Sequence, residues 1–288
     1  MSRPVDVLLE FLAAEQARGV THVHLDDGAR DALREVFHAA RAKKTDSSAE
    51  KSAALSAAEI HPDEPHMPVT AAATPTLEGT SPAEQLASLR SQAADWTPIK
   101  SLGSLREKMV FASGNPAARL MLVGEAPGYH EEREGCPFAG DVAQKLDGIL
   151  KAMGLSREEV YISYIVKFRP STPRQTTNNR KPTPEEMAAC LPFIRAEIAI
   201  VRPACIIAFG DTAAAGLLGT NKAVTAMRES WYDFAATPVR VTYHPSTLLQ
   251  THGASTTKRQ LWEDMLAVME KLELPISDKQ RGFFLPKA

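Results

Sequence analysis

The sequence predicts a three-layer α/β/α fold with a central four-stranded parallel sheet, preceded by a helical N-terminal segment and a flexible linker. From about residue 83, apolar segments typical of buried strands alternate with amphipathic segments typical of helices. This alternation favours parallel strands covered by helices on both faces. The stretch before it is rich in Ala, Ser, Thr and Pro and has no aromatic residue. Such a composition buries too little apolar surface to fold and predicts a linker.

We therefore divide the chain into three regions. Residues 1–43 form a helical segment, because "PVDVLLEFLAAEQARG" has apolar residues at helical spacing and ends on a glycine. Residues 44–82 form the linker. Residues 83–288 form the α/β domain.

The elements of this domain follow one another regularly. The predicted strands are "AARLMLVGEAPG", "EVYISYIVKFRP", "ACIIAFG" and "VRVTYHP", and the predicted helices are "DVAQKLDGILKAMG", "TPEEMAACLPFIRAEIAIVRP", "DTAAAGLLG" and "KRQLWEDMLAVMEKL". Thr183 is the expected N-cap of the second helix, with Pro184 at its first position. Ligands bind such sheets at the carboxyl ends of the strands. The segments "GEAPGYHEEREGCPFAG", "KFRPSTPRQTTNNRK" and "HPSTLLQ" each follow a strand, so we expect them to meet at one edge.

The composition limits the cellular compartment and the binding partners that we expect for this protein. No apolar run reaches the roughly 18 residues of a membrane span, and charges interrupt the apolar N-terminus, so we expect neither a membrane segment nor a secretory signal. Three scattered cysteines are typical of a cytoplasmic protein. The net charge is −2, yet the segment from Lys167 to Lys181 contains five basic residues and no acidic one. It is either a solvated loop or a surface for a phosphate backbone.

Four motifs together carry a resemblance to a known family. In order and spacing, "GEAPGYHEEREGCPFAG", "YISYIVKFRP", "AFGDTAA" and "TYHPSTLL" resemble the motifs of the uracil-DNA glycosylase superfamily, most closely its family 4. The resemblance covers roughly residues 105–272. It implies the uracil-DNA glycosylase fold and an enzyme that takes a base out of the DNA stack into a tight pocket.

The resemblance also implies roles for particular residues. Phe138 would stack on the base, or else be a core aromatic residue. Glu131 would exclude the 5-methyl group of thymine, or else be a surface carboxylate. His244 would donate to the departing base, unless it is structural, and Glu125 is the nearest candidate to orient water. The base-binding residues are expected to be Gly124, Ala126, Glu131, Phe138 and Tyr164.

DNA contacts are expected from two segments. Leu248 and Leu249 resemble the family's wedge, which enters the duplex where the base has left; alternatively they begin the packing of the next helix. The full set of predicted DNA-binding residues is Lys167, Arg169, Arg174, Arg180, Lys181, Ser246, Leu248 and Leu249.

The sequence departs from the family pattern in three places. Tyr164 stands where the family has an asparagine that reads the polar edge of uracil, and we expect its bulkier ring to fill part of the pocket. Phe168 stands at one of the four cysteine positions of the family's iron–sulfur cluster and only Cys190 matches, so we predict no cofactor and no metal. Apolar residues such as Leu102 and Leu105 are expected to fill that space. Ala126 stands where other superfamily members place a general base.

The leading hypothesis is a DNA repair glycosylase that hydrolyses the N-glycosidic bond of uracil, or another deaminated base, and leaves an abasic site. A catalytically weak or inactive DNA-binding homologue is the alternative, and altered specificity, for example for hypoxanthine, is a third possibility. A nucleotide-binding protein unrelated to DNA is disfavoured, because no phosphate-binding glycine-rich loop of the usual spacing is present. We expect a monomer that acts on DNA in the cytoplasm.

Overall fold

The structure is a computed structural model that describes residues 74–249 and 254–284. The predicted N-terminal helical segment and the linker up to residue 73 lie outside the described residues. The first described helix, α1, spans Pro82–Asp95 and begins with a capping box in which Ser81 and Glu84 bond each other's backbone N–H groups. The region boundaries proposed from the sequence stay a prediction.

The described residues form helices and strands in alternation. The strands are β1 (Leu105–Met109), β2 (Ala112–Gly114), β3 (Leu120–Gly124), β4 (Tyr161–Tyr164), β5 (Phe168–Pro170), β6 (Cys205–Phe209), β7 (Trp231–Phe234) and β8 (Thr237–Thr242). After α1, the helices are α2 (Thr97–Lys100), α3 (Tyr129–Glu134), α4 (Asp141–Met153), α5 (Pro184–Val201), α6 (Gly210–Leu218), α7 (Val224–Met227), α8 (Ala254–Lys271) and α9 (Asp278–Arg281). Short 3-10 helices span Arg157–Glu159 and Pro245–Leu249.

The main sheet contains the predicted parallel strands and two further strands at its edges. Its strand order is β2-β4-β3-β6-β8-β7. The four inner strands pair in parallel, as predicted. Two antiparallel edge strands that the sequence analysis did not identify, β2 and β7, extend the sheet to six strands. These edge strands are only three and four residues long and are partly exposed, so they lack the continuous apolar run of a buried strand.

The second predicted strand is in fact two. The segment "EVYISYIVKFRP" leaves the main sheet after Tyr164 and continues as β5, which pairs with β1 in a separate antiparallel sheet. Between them, the N–H groups of Ile165 and Val166 bond the carbonyls of Gly124 and Glu125. Every residue of both strands is buried, so the apolar pattern does not mark the break.

Helices cover both faces of the sheet, which confirms the three layers. One core contains residues of α1, α5 and α6 packed on Met121, Val123 and other strand residues. The other contains residues of α4 and α8 packed on Leu120 and Leu122. Successive residues of β3 thus point to opposite cores, as the alternation of side chains along a strand requires.

A buried charge cluster fixes the end of the strand that leads to His244. Asp264 of α8 is fully buried and accepts hydrogen bonds from Arg228, Arg240 and Thr242. A buried carboxylate needs such partners to offset its lost hydration. Because Thr242 ends β8, this cluster joins helix α8 to the strand two residues before His244.

Candidate active site

A cavity of about 580 Å³ lies at the carboxyl ends of the parallel strands. It is lined by residues that follow β3, β4, β6 and β8, including Glu125, Tyr164, Gly210 and His244. The basic segment reaches the same cavity through Lys181. The structure therefore confirms that the motifs meet at one edge of the sheet.

His244 is held in one tautomer on the wall of this cavity. The backbone N–H of Ser246 donates to Nδ1 of His244 across 3.2 Å, and the Ser246 hydroxyl oxygen lies 2.8 Å from the same nitrogen. A backbone N–H can only donate, so Nδ1 is the acceptor and the proton of the neutral ring is on Nε2. Burial lowers the pKa of His244 to about 4. The ring is therefore neutral at pH 7 and offers an N–H donor.

Phe138 packs against two residues of the cavity wall and is itself covered. Its side chain is 1% exposed and lies between two nearly parallel rings, with centroid distances of 5.2 Å to Tyr164 and 5.4 Å to His244. Its backbone φ is +51°, an unusual value for a residue other than glycine, and Arg157 donates to its carbonyl oxygen. Phe138 belongs to the core under α4 and α8, which agrees with the alternative of a core aromatic residue, and its stacking role stays a prediction.

Tyr164 fills the space beside Phe138. Its hydroxyl oxygen accepts a 2.7 Å hydrogen bond from the Phe138 N–H, and its side chain is 2% exposed. A Cβ added to Gly124 would lie 2.6 Å from the Tyr164 ring, so the glycine leaves room for tyrosine. Ala126 lies on the cavity wall beyond them. The expectation that the Tyr164 ring occupies part of the pocket agrees with this packing.

The two acidic residues of the first motif differ in their surroundings. Glu131 accepts hydrogen bonds from the N–H groups of Gly128 and Ala139, at 3.0 and 3.1 Å. Its carboxylate thus closes the loop between β3 and α4, while its side chain still lines the cavity. Glu125 is half-buried at the end of β3 and also faces the cavity. Both positions are compatible with the predicted roles, which stay predictions.

Lys167 and Arg169 do not form a DNA-binding surface. Lys167 is fully buried, forms an ion pair with Glu197 and donates to Ser163. Arg169 is 2% exposed and forms a 2.9 Å ion pair with Glu132. The predicted phosphate contacts of both residues are corrected here, because each charge is buried and paired. Sequence composition showed a basic run but not which side chains point inward.

Arg180 is likewise engaged within the protein. It donates to both carboxylate oxygens of Glu186, at 2.6 and 2.8 Å, and to the backbone carbonyls of Ser104 and Ser171. Its side chain is still 26% exposed and lines the cavity, so its predicted contact with DNA stays a prediction. Arg174 and Lys181 are exposed, so they keep the charge that the prediction requires.

The segment after His244 divides among three roles. Ser246 orients the His244 ring, as described above, rather than only facing DNA. Leu248 is half-buried and packs against the core under α4 and α8. Leu249 is 43% exposed and lies at the cavity, so it is the better placed of the two leucines for a wedge.

Asn179 is a cavity residue that sequence reasoning missed. Nε of Arg169 donates to Oδ1 of Asn179 across 3.1 Å. Since arginine only donates, this contact identifies Oδ1 and directs the amide nitrogen to the other side. That nitrogen approaches Gly128 so closely that a Cβ there would lie 2.7 Å from it. The signal available in the sequence was an amide directly before an arginine in a loop that follows a strand.

The residues present do not fit the iron–sulfur cluster that the resemblance implies. Phe168 and Cys190 lie in the same apolar core, against which Leu105 also packs. Burial raises the pKa of the Cys190 thiol to about 11, whereas a cluster ligand must be a thiolate. Cys205 belongs to the opposite core and Cys136 to the turn before α4. Three separated cysteines cannot supply four ligands.

The described residues lack two further features, a metal-binding cluster and a membrane-spanning helix. Within residues 74–249 and 254–284, no three His, Cys, Asp or Glu side chains are grouped so that they could hold a metal ion. Among the helices in the same part of the chain, none combines the length and apolar character needed to cross a membrane.

Comparison with known proteins agrees with this geometry. Residues 111–266 match the model of the Uracil DNA glycosylase superfamily. The Type-4 uracil-DNA glycosylase of Thermotoga maritima is 38% identical over 162 residues, which cover 56% of this chain and 81% of that protein. That of Saccharolobus solfataricus is 32% identical over 180 residues, covering 59% and 79%. The Type-5 uracil-DNA glycosylase of Pyrobaculum aerophilum is 35% identical over 162 residues, covering 50% and 69%.

Proposed function

Because the chain belongs to the uracil-DNA glycosylase superfamily, we propose that it hydrolyses the N-glycosidic bond of uracil in DNA. The products are the free base and an abasic site. The alternative, a catalytically weak DNA-binding homologue, is not favoured, because relatives of two types, Type-4 and Type-5, are named as uracil-DNA glycosylases.

The observation that carries this proposal is the fixed tautomer of His244. Breaking the glycosidic bond leaves negative charge on the departing uracil. A donor held near a carbonyl oxygen of the base stabilises that charge as it develops. The Nε2–H of neutral His244 is such a donor, because Ser246 occupies Nδ1 and burial keeps the ring unprotonated.

Water and the polar edge of the base have candidates on the same cavity. Glu125, which follows β3 and lines the cavity, is our candidate to orient an attacking water. Asn179 contributes an amide whose N–H groups are directed by Arg169. A neutral amide donor can bind a water oxygen or a base carbonyl without adding charge to the site.

For DNA itself, we propose contacts by Arg174, Lys181 and Leu249, which are exposed near the cavity mouth or on the loop leading to it. We further propose that the protein acts as a monomer in the cytoplasm and needs no cofactor. The mismatch between its cysteines and a four-thiolate cluster supports the last point.

A substrate panel tests the function. The full-length protein is incubated with oligonucleotides that contain one uracil, hypoxanthine, xanthine or thymine, single-stranded or mismatched, and alkali-labile product is quantified. We expect product from uracil and none from thymine. Release of another base in place of uracil would indicate altered specificity, and no product from any substrate would overturn the proposal.

A further inference from the structure

The ring of Phe138, on which the proposed function would stack a base, is already stacked against a flat side chain. The rings of Phe138 and Tyr164 are 5.2 Å apart between centroids and inclined by only 22°. Offset, nearly parallel rings at this distance have the geometry of a favourable aromatic stack. The 1% exposure of Phe138 leaves no ring surface free for a second partner from the cavity.

The hydroxyl group of Tyr164 also occupies a backbone N–H donor that a base carbonyl oxygen would use. A uracil carbonyl oxygen accepts hydrogen bonds and is attached to a flat six-membered ring. The Tyr164 hydroxyl oxygen is likewise attached to such a ring, and it accepts the Phe138 N–H across 2.7 Å. The tyrosine thus uses both the stacking surface and a backbone donor of the pocket.

Gly124 supports the same interpretation. A glycine at the end of a strand lets a flat group approach the backbone closely. Here the flat group is the Tyr164 ring, since a Cβ on Gly124 would lie 2.6 and 2.8 Å from two of its carbon atoms. His244 also stacks near Phe138, but it leaves the backbone donor of Phe138 and the space over Gly124 to Tyr164.

We propose that Tyr164 occupies the base subsite as an internal plug, so that a base stacks on Phe138 only after the Tyr164 ring has moved away. The inference rests on the proposed function, because it assumes that the cavity receives a base. Tyr164 borders the 580 Å³ cavity, which offers space into which the ring can turn. The plug makes Tyr164 a specificity-determining residue. A base must displace both the stacking of Tyr164 on Phe138 and the hydrogen bond from the Phe138 N–H to the Tyr164 hydroxyl oxygen.

Free uracil tests the plug separately from catalysis. Uracil binding to the full-length protein is measured by calorimetry for wild type, Tyr164→Ala, Tyr164→Asn and the matched control Tyr164→Phe, with thermal unfolding to confirm that each is folded. If the open form is a tenth of the population or less, removing the ring strengthens apparent uracil affinity about tenfold or more. Tyr164→Phe keeps the ring and loses only its hydrogen bond, so its gain should be about fivefold.

Two results would overturn the plug: equal uracil affinity in wild type and the ring-deleted variants, or no uracil binding by any folded variant. If Tyr164→Ala does not fold, the gain expected for Tyr164→Asn and Tyr164→Phe over wild type still decides the question. Cleavage of uracil-containing DNA is measured in parallel. If Tyr164→Ala binds uracil tightly but no variant cleaves DNA, the plug is supported and the glycosylase function is rejected. If DNA is cleaved but uracil affinity is the same in all variants, the glycosylase function is supported and the plug is rejected.

Discussion

Two neighbouring parts of the candidate active site, which we call its ready side and its closed side, present different states to a substrate. On the ready side, His244 is held by Ser246 with its proton on Nε2 and is ready to donate. On the closed side, Phe138 is buried against Tyr164, and its backbone N–H is already bonded. The difference shows that a motif can place a residue correctly while a neighbour in space decides whether that residue is available.

The largest expected effect concerns the ready side. His244→Ala should reduce the single-turnover rate of uracil release by about 10²- to 10³-fold, because it removes a donor to the developing charge. The matched control is His130→Ala, which removes the exposed histidine at the cavity rim and should cost much less. Equal losses in both variants would show that His244 has no special place in the reaction.

A double-mutant cycle tests the closed side. Gly124→Ala should lower the free energy of unfolding by about 1–3 kcal/mol, because the new methyl group overlaps the Tyr164 ring. In a Tyr164→Ala background the same change should cost less, since the overlap with the tyrosine ring is gone and only the 2.9 Å approach to Phe138 Cζ remains. Denaturant unfolding of the four proteins measures the coupling. Additive effects would mean that the ring does not sit over Gly124.

The salt dependence of DNA binding tests which basic residues contact the phosphate backbone. Arg174→Ala and Lys181→Ala should each reduce the slope of log binding constant against log salt by about one, because each removes one phosphate contact. The measurement is DNA binding at several salt concentrations. A folded Lys167→Met variant serves as control, since the buried Lys167 should leave the slope unchanged. An equal change of slope in that variant would contradict the assignment.

The smallest expected effect is that of mild acid on catalysis. Because burial lowers the pKa of His244 from 6.5 to about 4, the rate of uracil release should change little from pH 7 to pH 5.5. The folded pKa is the lower one, so the stability linked to neutral His244 is complete above pH 6.5 and is lost as pH falls through about 4. Unfolding experiments across this range should show that loss in wild type and not in His244→Ala. A rate that halves near pH 6.5 would contradict the buried, neutral ring.

Much of the fold followed from periodicity alone. The four parallel strands and the helices between them are buried, repetitive elements whose patterns are strong. The edge strands β2 and β7 were missed because short, half-exposed strands resemble loops. The break between β4 and β5 was missed because both are fully buried.

The site was less accessible to sequence reasoning. Of the predicted site residues, His244 and Glu125 line one cavity, and Phe138 stacks against His244 behind the cavity wall. The motifs could not show that Lys167 and Arg169 point inward, because a run of basic residues does not reveal which side chains face the protein interior. Asn179 was missed for a related reason: its place in the cavity depends on a hydrogen bond from Arg169, ten residues earlier in the chain.

Arg169 has a consequence for how this part of the chain can change in length. Besides Asn179, it donates to the backbone carbonyls of Thr176 and Asn178, so one side chain gathers the loop that carries Asn179. The reach of one guanidinium group sets the number of residues that this loop can contain. Substitutions at the exposed Arg174 should be tolerated, whereas an insertion between residues 170 and 179 should detach the amide from the cavity. Arg169 therefore limits the length of the loop whose backbone carbonyls it binds.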